Sequence, residues 1–212
     1  MTKKDSLIFM EYLDELFPNA GPELNYSNNF ELLVAVVLSA QTTDIQVNKV
    51  TEKLFMKYPT PERLKDADYD DVSNLIKSIG LYKTKSRNII KLSEILVSKY
   101  NGLVPNKRED LESLPGVGRK TANVLLSNAF NIPAFAVDTH VMRVSKRFKI
   151  ALEKDTPLQV EKKLMKLFPK DKWQKLHHQL ILFGRYYCTA RNPKCDQIKI
   201  SYMCSYCNQK RN

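Results

Sequence analysis

Apolar residues recur at three- and four-residue spacing along most of this 212-residue chain, and no stretch of any length alternates apolar with polar. That period belongs to helices. Without alternation or hairpin signals there is no basis for a sheet, so the sequence specifies an all-α fold. Leu7, Met10, Leu13 and Phe17 share one face of a helix over 6–17. The segment 29–40 is apolar nearly all round and reads as a buried central helix. Ile45, Val47, Val50, Leu54 and Phe55 make 44–58 amphipathic. Thr60-Pro61 places a cap residue before proline at the first helical position. Short helices follow at 61–67 and 70–79, the second stopped by Gly80, then a longer one at 84–100. Further helices fall at 109–114, 119–130 and 139–148. Thr156 and Gln159 form a capping box that opens a helix to about 168. The last clear helix is 173–187, which makes roughly eleven in all. No solenoid period is present.

The charge narrows the partner. Lys plus Arg is 34 and Asp plus Glu is 23, giving a formal net charge of +11. A chain this basic is suited to a polyanion such as nucleic acid. Acidic residues at Glu11, Asp14 and Glu15 break the apolar start, so it does not read as a signal peptide. The most apolar run, 32–38, is too short to cross a bilayer. The expectation is a cytoplasmic protein, a monomer without a membrane partner. In a reducing compartment, four cysteines gathered in one tail point to metal or redox chemistry before disulfides.

The stretch LESLPGVGRKTANV, 111–124, carries the strongest functional signal. Two helical patterns flank Pro115, Gly116, Val117 and Gly118. The two glycines permit positive φ and a close approach by another chain. The turn feeds a helix N-terminus, whose free N–H groups suit a DNA phosphate without reading sequence. An ordinary αα-corner fits the same residues. Lys120 lies in the first helical turn, where the dipole disfavours a cation and so favours the free amine, a nucleophile able to form a Schiff base. A solvated surface lysine is the plain alternative.

A second stretch, AVDTHVMRVSKRF, spans 136–148. Asp138 is placed to cap the following helix. The same carboxylate could assist deprotonation or balance a developing cation. His140 suits a structural role, a ligand or a base. Arg143, Lys146 and Arg147 could meet phosphates or form a solvated basic face.

Together these stretches resemble the endonuclease III family of helix-hairpin-helix DNA glycosylases. LLVAVVLSAQTTD at 32–44, GLYKTKSRNII at 80–90 and the cysteine tail add to the match, which runs from about residue 5 to 207. The resemblance implies two helical lobes with a cleft between them. One is about 21–132, and the other joins 1–20 to 133–212. Lys120 and Asp138 would face each other across the cleft. The implied activity is base-excision repair of damaged double-stranded DNA. A lesion base is flipped out, the lysine matching Lys120 attacks C1′ and displaces it, and the Schiff base drives β-elimination. The matching Asp138 activates the amine and stabilises the sugar cation. Having the lysine indicates the bifunctional branch, acting on oxidised pyrimidines. Gln41 matches a residue that fills the gap left by the flipped nucleotide, and Leu81 one that wedges into the stack. Asp44 matches a family position but reads first as an N-cap.

The family's tail holds a 4Fe-4S cluster with spacing C-x6-C-x2-C-x5-C. Here Cys188 and Cys195 keep the first interval. The third position falls on Ile198, which cannot ligate iron. Cys204 matches the fourth, and Cys207 has no counterpart. Three readings stay open: Cys207 replaces the missing ligand of a 4Fe-4S cluster, the four thiolates bind zinc, or the metal is lost. Arg185, Arg191, Lys194 and Lys199 surround the tail as possible phosphate contacts.

Overall fold

The structure, a computed structural model, describes residues 1–211 and contains twelve α-helices and no strand among them. In chain order these are α1 Lys3–Leu16, α2 Asn29–Leu38, α3 Asp44–Lys57 and α4 Pro61–Lys65. Then come α5 Tyr69–Ile76, α6 Tyr82–Tyr100, α7 Arg108–Glu112 and α8 Arg119–Ala129. The series closes with α9 Thr139–Arg147, α10 Pro157–Leu167, α11 Trp173–Tyr186 and α12 Ser205–Arg211. The all-α expectation holds. The chain divides into two compact units, one made of Met1–Pro22 with Pro133–Asn212 and the other of Glu23–Ile132.

Local chemistry sets the boundaries. Thr2 and Asp5 form a capping box that starts α1 earlier than the apolar pattern suggests. Thr60 with Pro61 and Thr156 with Gln159 cap α4 and α10 as their sequences require. Thr43, not Asp44, caps α3, and Asp44 sits in its first turn. Helix α5 ends at Ile76, and the left-handed residue before α6 is Leu81, with φ 57°, rather than Gly80. Helix α12 has no clear apolar period; its Cys207 and Tyr206 join the core instead.

In the unit Glu23–Ile132, α2 is the centre. Eight of its residues, Phe30 and Leu32–Leu38, are buried. It packs against α3, α6 and α8, while α4 and α5 lie on α6 and α7 lies on α8. Burying a Leu, Val or Phe side chain contributes about 1.5–3 kcal/mol each, so this one helix anchors the unit.

The other unit is built on aromatic packing. Phe9 of α1 lies 4.9 Å from Phe148 and 6.3 Å from Phe183, ring centre to ring centre. Phe148 and Phe183 are 5.7 Å apart. Helix α11 packs on both α1 and α9. The α9 contact is close because Gly184 has no side chain; a Cβ there would sit 2.8 Å from His140 Cβ. Asp155 closes the turn before α10, accepting from the Leu152 N–H at 2.7 Å and pairing with Lys163 at 2.5 Å. The Lys163 bond holds its carboxyl below the usual 3.8. A depressed carboxylate stabilises the fold above its unfolded pKa and loses that contribution as pH falls through the lower folded value. Asp155→Asn is therefore expected to lower the melting temperature by a constant amount from pH 8 to pH 5, as read by differential scanning fluorimetry. The gap to wild type should close below pH 3.8.

Candidate functional site

Helices α7 and α8 form the hairpin. Leu114 and Val117 are 2% and 6% exposed and pin the turn to the interior, and the Val117 N–H donates to the Leu114 carbonyl at 3.1 Å. Gly116 is required twice over. Its φ is 80°, and a Cβ there would lie 2.9 Å from Asn88 Nδ2 and 3.1 Å from Val37 Cγ1. Gly118 differs from the sequence expectation. Its φ is −99°, extended backbone, and it caps α8 without a side-chain bond. Gly118 gives the first turn of α8 no capping side chain, an arrangement that suits an anion. Arg108 Nη1 bonds buried Asn123 Oδ1 and ties the two hairpin helices together. Lys120, second in α8, is exposed.

Two further turns in this unit share an unusual conformation. Gln41 and Leu81 are both non-glycine residues in the left-handed region, with φ 55° and 57°. Gln41 is exposed, and Leu81 is 60% exposed. A Cβ on Gly80 would lie 3.6 Å from the Gln41 carbonyl oxygen, so the turns are neighbours. Strained, solvent-facing backbone of this kind persists only where surrounding contacts impose it. The contact is Lys85, which the sequence reading passed over. It is 4% exposed, and its Nζ donates to Leu38 O at 2.9 Å, Ala40 O at 2.6 Å and Thr42 Oγ1 at 3.0 Å. Burial pushes its ammonium below the ordinary 10.5. A signal was present: Lys85 is in phase with buried Ile89, Leu92 and Leu96, a lysine on an apolar stripe.

Asp138 belongs to the other unit. The buried segment Ala134, Phe135, Ala136 and Val137 leads into it, and His177 Nδ1 lies 2.8 Å from the Ala136 carbonyl. Asp138 caps α9, its Oδ1 accepting from the Val141 N–H at 2.8 Å. His140 is held below its ordinary 6.5 by burial, with Asp138 opposing. Arg143 faces protein rather than a solvated face. It donates to Cys188 O at 2.9 Å and Gly184 O at 2.8 Å, and its Nη2 lies 3.0 Å from His140 Nδ1. Arg147 is committed similarly, to Thr189 O at 2.7 Å, Ala190 O at 2.9 Å and Cys188 Sγ at 3.3 Å. Its guanidinium also stacks over Tyr206 at 4.1 Å. Arg143 satisfies the Gly184 carbonyl in the last turn of α11, and both arginines hold the segment that follows that helix. Lys146 donates to Glu153 O, and Lys199 pairs with Glu15.

All four cysteines are buried in one core with Ile198. Cys195 and Cys207 are joined as a disulfide, with Cα atoms 5.5 Å apart, while Cys188 and Cys204 are free thiols. Burial pushes the Cys188 thiol up, and the bond from Arg147 opposes it. Among the described residues no group of three or more His, Cys, Asp and Glu side chains is arranged to hold a metal ion. Once the disulfide is reduced, however, the donor set is four buried thiols, one of them facing a cation. That number and chemistry fit a four-thiolate centre.

An all-helical fold with a glycine hairpin that opens onto an exposed lysine is the frame of a base-excision repair protein. Residues 34–170 match the model of the HhH-GPD superfamily base excision DNA repair protein. Endonuclease III of Bacillus subtilis is 51% identical over 195 residues, covering 92% of this chain and 89% of that protein. Endonuclease III of Escherichia coli K12 is 48% identical over 206 residues, covering 97% of each. The solved structure of a trapped endonuclease III–DNA covalent intermediate matches with a TM-score of 0.96 at 48% identity, over the full length of both chains. The chain belongs to the endonuclease III family. That family generally carries a 4Fe-4S cluster. No helix among the described residues is long and apolar enough to cross a membrane.

Proposed function

We propose that this protein is a bifunctional DNA glycosylase and abasic-site lyase that removes oxidised pyrimidines from double-stranded DNA. The observation that carries the reading is Lys120: an exposed amine in the first turn of α8, immediately after a glycine hairpin that gives the helix N-terminus no capping side chain. Pro115, Gly116, Val117 and Gly118 bind the backbone of the damaged strand. The lesion nucleotide leaves the stack; Gln41 takes the vacated space and Leu81 parts the neighbouring bases. The Lys120 amine attacks C1′ as the N-glycosidic bond breaks and the base departs with the bonding pair. Asp138 receives the ammonium proton and balances the cationic sugar. Ring opening gives the Schiff base. Loss of a C2′ proton then expels the 3′ phosphate, and hydrolysis frees Lys120. Arg143 serves the DNA face indirectly, by holding α9 and Asp138 against the end of α11. The place of action is where the DNA lies, the cytoplasm, in association with the nucleoid if the cell is bacterial.

The test is an abasic duplex incubated with the protein and borohydride. A covalent protein–DNA adduct is expected. Salt-sensitive duplex binding without adduct or strand cleavage would instead identify a non-catalytic binding module.

Cys188, Cys195, Cys204 and Cys207 are the residues that would hold the 4Fe-4S cluster, with Cys207 in place of the ligand missing at Ile198. When bound, the cluster would supply a structural tie for the tail, and no step of the reaction runs through it. Anaerobically purified protein is expected to contain iron and to absorb visible light, and Cys207→Ala to lose most of both. Zinc in place of iron, or no metal at all, would select one of the other two readings of the tail.

A further inference from the structure

Three oxygens converge on one buried ammonium in the unit Glu23–Ile132. Lys85 Nζ donates to the carbonyls of Leu38 and Ala40 and to the Thr42 hydroxyl. Leu38 is the last residue of α2, where open carbonyls and the negative end of the dipole attract a cation. Ala40 and Thr42 flank Gln41, so the ammonium grips the chain on both sides of that residue. Lys85 also lies one turn into α6, and its own N–H donates to the Leu81 carbonyl at 3.0 Å. One residue therefore reaches both left-handed turns, by its side chain at Gln41 and by its backbone at Leu81. None of the three acceptors is a carboxylate. A desolvated lysine whose ammonium serves only neutral oxygens costs free energy, and the geometry it imposes is the return on that cost.

We propose that Lys85 is a positioning residue for lesion recognition: it holds Gln41 and Leu81 together as one preformed two-part wedge. The inference rests on the reading of those two residues as the gap filler and the stack opener. Preformed, the wedge loses little conformational entropy when the nucleotide flips out. Without the ammonium the Ala40–Thr42 turn is free to relax to ordinary negative φ, and Gln41 must be ordered anew at each encounter. The hydrogen bonds of the Lys85 ammonium go to Leu38, Ala40 and Thr42 and not to Lys120 or the hairpin turn, so its effect is on selection of the lesion, not on bond breaking.

The experiment compares affinity for a duplex bearing a stable tetrahydrofuran abasic analogue with affinity for the same duplex undamaged, for wild type and variants. Lys85→Met keeps the length of the side chain and removes the ammonium. Thr42→Val keeps its shape and removes one acceptor, and carries the decision if Lys85→Met does not fold. Lys85→Met is expected to lower the damaged-to-undamaged ratio about ten-fold, with undamaged affinity unchanged, and Thr42→Val to lower it less. Combined with Gln41→Ala, the Lys85→Met loss should not add, because both remove the same wedge. A simple packing role would lower thermal stability without this coupling. Folded variants that keep the wild-type ratio, while Gln41→Ala lowers it, would overturn the inference and leave the reading of Gln41 intact. A wild-type ratio in Gln41→Ala itself would overturn both.

Discussion

Lys120→Ala is expected to bind abasic duplex yet form no borohydride-trapped adduct, with strand cleavage reduced on the order of 10⁴-fold or more. The argument is one of chemistry and exposure together. The Schiff base needs an amine, and alanine has none. The side chain is exposed, so its removal leaves no cavity. Alanine is also a better helix former than lysine, so stability should stay within about 0.5 kcal/mol of wild type. Gel analysis of the trapped adduct reads the first part and thermal melting the second. A full yield of adduct from the variant would mean that another amine attacks C1′ and that the assignment of Lys120 is wrong.

Asp138 separates capping from catalysis. Asparagine is as good an N-cap as aspartate, and its oxygen can still accept from the Val141 N–H now bound at 2.8 Å. Asp138→Asn should therefore melt like wild type while turnover falls about 10²–10⁴-fold, since the amide cannot take a proton or carry charge. Asp138→Ala should add a stability loss of about 1 kcal/mol, or roughly 2–4 °C for a chain of this length. Single-turnover cleavage and melting curves, measured on both variants, distinguish the roles. Equal turnover in Asp138→Asn and wild type would leave Asp138 with the cap alone.

Much of the fold was legible because it follows from short-range chemistry. Thr60-Pro61, Thr156 with Gln159 and Asp138 are caps whose partners lie within three residues, and all three are where the sequence places them. The hairpin was legible for the same reason, although Gly118 does not need the positive φ expected of it. The misses are long-range. Leu81 adopts a left-handed turn that Gly80 was expected to supply, and its support comes from Lys85 in the next helix and from the chain around Gln41. Arg143 and Arg147 looked like a basic face because their acceptors, the carbonyls of Gly184, Cys188, Thr189 and Ala190, are some forty residues away in sequence. Cys207 fell outside the family spacing, yet it shares a buried core with the other three cysteines. No local pattern encodes such contacts. Only the direction of each helix's apolar stripe hints at them, as the lysine in phase with Ile89 and Leu92 does.

The division of the chain has a consequence for its synthesis. Residues 1–22 belong to a body whose remainder begins at residue 133, so α1 leaves the ribosome long before its partners exist. Phe9 and Leu13, fully buried at the end, must wait exposed while the intervening segment emerges and closes on itself. Domains made first fold first, so the body bearing the hairpin is complete while the other is still half-translated. Joining α1 to α9 and α11 then closes a long loop, which costs entropy only slowly with length but delays the contact. The capping box at Thr2 and Asp5 gives that waiting helix a local reason to hold its shape until Phe148 and Phe183 arrive.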